Sequence, residues 1–391
     1  MAPWLVILIS ILLPLILVPL ILPSLVKVAK RKHVTDSPNY RKFQRRPVSL
    51  LGGLVVVSSL STALACASLY VPLNDLFPAM CMTVLLMTVG LIDDILDLSY
   101  LIKLIIQVFV IAVLCFAGSY RITSFWSLFG INELPLWFSY FFSIFIGVSI
   151  INAINFIDGI DGLAASFGLF FCINLTVWCW HHNELSHAIF SLIWGSALFA
   201  FWLFNCWSNK YKIYLGDSGS LVLGLFIYLS ICKILSHQEI APHTSDGYEF
   251  SFALSLIAAP TFDFLRVIFS RLTDKRSAAS PDRNHLHHLL VDIGFTPFRT
   301  SCIIIKQNIM VVTAWGILTE LQINPTIQFF LVCIAGIIFI NGPALYLHYL
   351  RIKRPHKYHY HLRKLRARRI KHLPARRKIT TIMDHIPTLI R

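Results

Sequence analysis

The chain has 391 residues, of which 56% are hydrophobic and only 14% charged, and its mean hydropathy is +0.69. That composition excludes an ordinary soluble domain and points to a polytopic membrane protein. The formal charge of +15 is unevenly placed: residues 351–391 hold 14 Lys or Arg against one acid, Asp384, so this tail carries +13 and the preceding 350 residues only +2.

A helix needs about 20 apolar residues to cross the hydrocarbon, and helix is the form in which such a run satisfies its own backbone in lipid. Eleven runs qualify, near residues 4–25, 51–72, 77–92, 101–120, 134–153, 162–180, 186–206, 219–235, 250–269, 302–319 and 326–350. The third is short, and the tenth is interrupted by Lys306, Gln307 and Asn308. The first has no basic region before it and no A-x-A-like site, so it reads as a retained helix rather than a cleaved signal peptide. The link after it carries Lys27, Lys30, Arg31, Lys32, Arg41, Lys42, Arg45 and Arg46. The positive-inside rule makes that link cytoplasmic and the amino terminus external. The links at 73–76, 181–185, 236–249 and 320–325 then fall outside, and none contains Lys or Arg; the one at 121–133 has only Arg121. The link at 270–301 and the tail fall inside, and both are basic.

The expected architecture is an all-α polytopic integral membrane protein of about 10–11 transmembrane helices. Its C-terminus is cytoplasmic, with a membrane domain over residues 1–350 and a basic cytoplasmic tail over 351–391. The nine cysteines are scattered singly without a CxxC pair, and read as small core hydrophobes rather than disulfide or zinc partners. The tail reads either as a solvated segment obeying the charge rule or as one lying on anionic lipid, at about 1 kcal/mol per basic residue near the surface. Docking of a partner protein is a further expectation for it. Nucleic acid is not expected, since no base-reading element accompanies the charge.

The polar clusters lie in or beside cytoplasmic links. "DSPNYRKFQRRPVSLLGG" precedes span two, and "GLIDDILDL" (Asp93, Asp94, Asp97) follows span three. "INAINFIDGIDGLA" joins spans five and six and sets Asn152, Asn155, Asp158 and Asp161 three residues apart. "YLGDSGS" (Asp217) precedes span eight, and "SPDRNHLHHLL" (Asp282, Arg283, His285, His287, His288) lies between spans nine and ten. One-sidedness of this kind suggests a single site facing the cytoplasm. Gathered carboxylates repel one another unless a cation sits among them. Asp and Asn oxygens suit Mg²⁺, which keeps coordination positions for substrate phosphates. Arg283, the histidines and Lys42 supply the donors that phosphate oxygens want. Together these parts describe phosphoryl transfer.

Each cluster also has a plainer reading. Asp93-Asp94 alone could be a helix cap and a surface acid. His285, His287 and His288, at i, i+2 and i+3, cannot all face one zinc ion on a regular helix. Steps of three residues rotate an α-helix face by about 60° each. Asn152, Asn155, Asp158 and Asp161 therefore cannot share one stripe, and Gly159 and Gly162 suggest that the helix ends among them.

With these motifs in hand, the chain resembles the polyprenyl-phosphate N-acetylhexosamine-1-phosphate transferases, the family of MraY, WecA and TagO, over about residues 34–300. "IDD" with "KLIIQ" ten residues on (Lys103, Gln107), "NAINFIDGIDGLA", "LGDSGS" and "PDRNHLHHLL" follow the family's order. The second and last are the most specific. "PDRNHLHH", "RK" ten residues before "GG", and "PTFDFLRVIFSR" with Asp263 are similar to the WecA/TagO branch. Two positions depart from the pattern: Gln44 stands where the family often has His, and Pro47 falls two residues early.

The resemblance implies an enzyme of the bacterial inner membrane that moves a sugar 1-phosphate from a UDP-sugar to undecaprenyl phosphate, releasing UMP. Such a step initiates cell-envelope polysaccharide synthesis, O-antigen included. By resemblance, Asp217 is the Mg²⁺-binding aspartate, with Asp93 a second candidate ligand and Mn²⁺ an alternative ion. Asp93 and Asp94 match the pair near the attacking lipid phosphate. Asn155 and Asp158, with Asn152 and Asp161 beside them, match the nucleotide-facing loop. Arg283, His285, His287 and His288 match the loop over diphosphate and sugar, while Lys42 and Lys103 match basic positions. UDP-GlcNAc is the favoured donor, with another UDP-HexNAc or UDP-MurNAc-pentapeptide as rivals; the sequence leaves the oligomeric state open, a homodimer being one option. A cation- or proton-coupled transporter is the rival of a different class, but it would carry acids near the membrane midplane.

Overall fold

The computed structural model describes residues 3–36, 47–117, 120–125, 128–131, 133–240, 247–277, 284–356, 383–384 and 387. The helices are α1 (Pro3–Arg31), α2 (Gly52–Ser68), α3 (Phe77–Leu96), α4 (Tyr100–Ala117), α5 (Leu136–Ile157), α6 (Leu163–His181), α7 (Leu185–Trp207) and α8 (Gly216–Ile240). They continue with α9 (Glu249–Leu256), α10 (Ala258–Thr273), α11 (Leu286–Asp292), α12 (Pro297–Glu320), α13 (Pro325–Gly336) and α14 (Gly342–Lys353). A π-helical segment, Ile337–Asn341, makes α13 and α14 one continuous span. Among the described residues, nine helices are long and apolar enough to cross a membrane, a bent pair makes a tenth, and α2 is a shorter apolar helix. Every one of the eleven apolar runs is therefore helical.

Four boundaries differ from expectation. The third helix is not short, since it runs to Leu96, and this puts Asp93 and Asp94 inside its last turn rather than in the link beyond. The fifth helix likewise runs on to Ile157, which brings Asn155 inside α5, and Asp217 lies in the first turn of α8. The ninth run is not one straight helix: α9 and α10 meet at 73°.

The chain forms two compact units. The first comprises Met1–Ile106, Asp161–Gly224 and His372–Arg391. In it α7 packs on α6, α1 and α2, around Phe167, Phe171, Trp194, Phe201 and Phe204, all fully buried. Strands β1 (Thr35–Asp36) and β2 (Val48–Ser49) pair antiparallel. From β2 onward the backbone is zipped to the segment that leads into α8: Tyr214 N donates to Ser49 O at 2.8 Å, Gly52 N to Tyr214 O at 3.0 Å, and Gly53 N to Leu215 O at 2.9 Å. Such backbone pairing needs close approach. A Cβ on Gly53 would lie 2.3 Å from Gly219 N, and one on Gly90 of α3 would lie 2.5 Å from Ser218 Cα. Small residues thus allow the first turn of α8 to seat against α2 and α3. Asp384, the tail's single acid, accepts hydrogen bonds from Ser208 Oγ, Asn209 N and Lys210 N at 2.6, 3.2 and 3.1 Å.

The second unit comprises Gln107–Ile160 and Leu225–Lys371. Its bend between α9 and α10 has a local cause. Pro260 has no N–H, so the carbonyl of Leu256 cannot be satisfied along the helix. Asn308 of α12, fully buried, supplies the missing partner. Its Nδ2 donates to Leu256 O at 3.1 Å and Ser255 O at 3.2 Å, while its Oδ1 accepts from Ala259 N at 2.7 Å. The polar residue that interrupts the tenth run is the clamp on the ninth.

Gly90→Leu should lower the folded yield and the thermal midpoint in detergent, since forced overpacking costs about 1–3 kcal/mol. Gly316→Leu, where a Cβ meets nothing within 4 Å, should leave both unchanged.

Candidate active site

In the first unit, the acidic cluster is built by the turn between α3 and α4. Asp97 takes the left-handed conformation (φ 53°, ψ 69°) and ends α3. Asp93 Oδ1 accepts from Leu98 N at 2.8 Å just past the helix end. The chain then reverses into α4, which returns Lys103 to Asp93 with Nζ 2.8 Å from Oδ2. The same Nζ lies 3.3 Å from Asp217 Oδ2. One ammonium therefore joins two carboxylates that are 124 residues apart in sequence. Their exposures differ: the Asp93 side chain is 5% accessible and that of Asp217 is 32%. Asp217 is the carboxylate that a ligand can reach.

Asp94, adjacent in sequence, does something else. Its two oxygens accept from Asp217 N at 2.9 Å and Ser218 N at 3.2 Å, at the amino end of α8. A helix start leaves such amides without partners, and an anion there also complements the helix dipole. Gly216 makes the turn into α8 at φ +72°, and a Cβ on it would strike Asp94 Oδ2 at 2.6 Å. The structure thus separates the expected pair: Asp93 faces Lys103, whereas Asp94 fixes the backbone that carries Asp217.

Asp161, expected beside the nucleotide loop, is ion-paired with Lys212, a residue for which the sequence offered no signal because the partners are 51 apart. Gly162, at φ +82°, opens α6, and a Cβ there would meet Cys206 Sγ at 2.3 Å.

In the second unit, α5 ends at Ile157 as the glycines suggested. Asn152 Nδ2 donates to Gln107 Oε1 at 2.6 Å and to Val148 O at 2.8 Å, so Asn152 ties α5 to α4. Asn155 lies in the last turn, and Asp158 N closes it on Asn155 O at 3.2 Å. Between them Phe156 stacks on His285, with centroids 5.4 Å apart and planes at 19°, and on Phe264 at 5.6 Å; the Arg271 guanidinium lies 5.7 Å from the same ring. A Cβ on Gly159 would lie 2.3 Å from His287 Nε2. The loop after α5 and the histidine cluster are thereby in contact.

His285 caps the start of α11, and His287 and His288 lie on that helix. The rings of His285 and His287 stack with centroids 5.7 Å apart, and that of His288 lies tilted at 49° to His287, 4.1 Å away. Among the described residues there is no group of three or more His, Cys, Asp or Glu arranged around one metal position. Asp217, with Asp93 beside it, nonetheless fits a hard divalent ion, because its carboxylate is accessible and Mg²⁺ is held by one or two carboxylates plus phosphate and water. Lys42 and Arg283 lie outside the described residues.

The fold is that of a multi-pass membrane protein, and the comparisons give its class. The profile of glycosyl transferase family 4 matches residues 76–234. The undecaprenyl-phosphate alpha-N-acetylglucosaminyl 1-phosphate transferase of Escherichia coli O157:H7 is 31% identical over 300 residues, 75% of this chain and 78% of that protein. Its namesake in Yersinia pestis is 30% identical over 298 residues, covering 75% and 79%. The decaprenyl-phosphate N-acetylglucosaminephosphotransferase of Mycobacterium leprae (strain TN) is 28% identical over 325 residues, covering 76% and 79%. The chain belongs to the polyprenyl-phosphate N-acetylhexosamine-1-phosphate transferase family, as a multi-pass protein of the bacterial inner membrane.

The separation of the aspartates has a measurable consequence. Asp94→Ala should lower the thermal midpoint as well as activity, since loss of a helix cap costs about 0.5–2 kcal/mol. Asp93→Asn keeps the shape, and should abolish most activity while moving the midpoint little.

Proposed function

We propose that this protein transfers N-acetylglucosamine 1-phosphate from UDP-GlcNAc to undecaprenyl phosphate, releasing UMP. The observation that carries the reading is the Lys103 ammonium bridging Asp93 and Asp217 beside the capped end of α8. The relatives' names supply the substrates: each acts on a polyprenyl phosphate with an N-acetylglucosamine donor.

The cluster of two carboxylates and one ammonium has a formal charge of −1 and would repel phosphates by itself. Asp217, with Asp93 beside it, would hold Mg²⁺ or Mn²⁺. When bound, the ion brings the cluster to +1 and offsets the charge that develops on the UMP leaving group. Lys103 keeps the two carboxylates together and adds a fixed positive charge of its own. An oxygen of the lipid phosphate, already largely dianionic with a second pKa near 6, attacks the β-phosphorus in line as UMP departs.

Direct displacement is favoured over an aspartyl-phosphate intermediate on Asp93, because both oxygens of that nearly sealed side chain are engaged, one by Leu98 N and one by Lys103. Asp93 then positions Lys103 rather than attacking. The external amino terminus and cytoplasmic tail belong to this reading, supported by the distribution of Lys and Arg among the links. Contact between the tail and anionic lipid is likewise supported by its +13 charge.

Purified full-length protein given undecaprenyl phosphate, Mg²⁺ and radiolabelled UDP-GlcNAc should form labelled lipid, and chelation of the metal or Asp217→Asn should remove it. Product from another UDP-HexNAc or from UDP-MurNAc-pentapeptide alone would reassign the donor. Absence of transfer from every donor would contradict the reading.

A further inference from the structure

Asp263 lies in α10, a helix whose other polar groups are few, yet it is 4% exposed and accepts three hydrogen bonds. Oδ1 takes Arg266 Nη2 at 2.6 Å and Leu286 N at 3.0 Å; Oδ2 faces His285 Nδ1 at 2.9 Å. Arg266 Nη2 also donates to Asn284 O at 2.6 Å. A single buried carboxylate therefore fixes the start of α11 and the imidazole beside it, while Arg266 offsets its charge and holds the preceding residue.

The geometry determines where a proton of His285 resides. A carboxylate with these partners can only accept, so Nδ1 carries hydrogen and Nε2 is the atom left to interact with anything else. The ring is held flat between Phe156 and His287. Its Nε2 is buried and has no hydrogen-bond partner among the described residues. Buried polar atoms in folded proteins are nearly always paired, and one that is not is commonly waiting for a ligand, an ion or a water.

We propose that Asp263 is a positioning residue for the transfer reaction, acting through His285: it holds Nδ1–H and the ring plane so that Nε2 is aimed at a substrate oxygen. The inference rests on the phosphosugar transfer proposed above. The Asp263–Arg266 pair leaves no net charge behind the ring, and an Nε2–H there would donate to a phosphate oxygen. No covalent step is involved. The charged or titratable groups around the ring are Asp263, Arg266 behind it, His287 on one face, and Arg271 across Phe156.

The test is a double-mutant cycle on the full-length enzyme, with Asp263→Asn, His285→Gln and the double variant. Removing the outer partner of a functional histidine typically costs about 10- to 100-fold. Asp263→Asn should lower kcat by that order with a smaller change in KM for UDP-GlcNAc. The double variant should be no slower than His285→Gln alone, because Asp263 has nothing left to act through. Losses that multiply, or an unchanged kcat in Asp263→Asn, would overturn the proposal. A second readout does not depend on turnover or on the Asn variant folding. In protein carrying ¹⁵N-labelled imidazoles, the signal that His285→Gln removes should show a protonated Nδ1; a bare Nδ1 would overturn the proposal even in an active enzyme. A protonated Nδ1 without transfer from any donor would leave this arrangement standing and refute the reaction instead.

Discussion

The amino end of α8 presents unpaired amides, and Asp94 takes two of them. The rest of the acidic cluster depends on that contact. It requires α3 and α8 to approach until Gly90 touches Ser218, and it requires the turn at Gly216, which no side chain would permit. Once the backbone of Asp217 is held there, its carboxylate lies beside Lys103, and Lys103 is already returned to Asp93 by the left-handed turn at Asp97. Three charges are thereby set by one cap and one turn. A catalytic constellation that must bind phosphates gains most from such preorganisation, since no rearrangement is needed when substrate charge arrives.

The membrane itself made the fold legible. Lipid demands runs of helix with a minimum length and few charges, so eleven apolar runs became helices with almost no ambiguity. Gly159 and Gly162 correctly placed a helix end among Asn152, Asn155, Asp158 and Asp161. What stayed hidden depended on partners remote in sequence. Neighbouring residues on a helix point about 100° apart. The separate tasks of Asp93 and Asp94 follow from what happens to lie in each direction, which no spacing encodes. The bend at Pro260 could be suspected locally, but its clamp, Asn308, lies 49 residues from Ala259. Phe156 was camouflaged in an apolar run, although its ring is the platform for His285. Asp263 was visible only through the motif similar to the WecA/TagO branch, and its pairing with His285 and Leu286 was not.

A common rule governs the charges near the helix ends. Asp93 and Asp217 share Lys103, Asp161 has Lys212, and Asp263 has Arg266 and His285. Burial makes an isolated charge costly, so these carboxylates keep a cation, whereas Asp94 is satisfied by two backbone amides instead. The pairings differ in what they leave over. The first group retains a negative excess with one accessible carboxylate, which suits a divalent cation. The last pairs its carboxylate with Arg266 and leaves the buried Nε2 of His285 without a hydrogen-bond partner among the described residues. On the proposed reading, the first would hold the metal and the second would face a substrate oxygen.

The central claim is that Asp217, beside Asp93 and Lys103, holds the metal that meets the donor's phosphates. Electron–nuclear double resonance on the full-length protein with Mn²⁺ and UDP-GlcNAc measures this directly. The account predicts one bound Mn²⁺ with a ³¹P coupling from the nucleotide, lost in Asp217→Asn while that variant remains folded. Equal Mn²⁺ binding with the same ³¹P coupling in Asp217→Asn would contradict it.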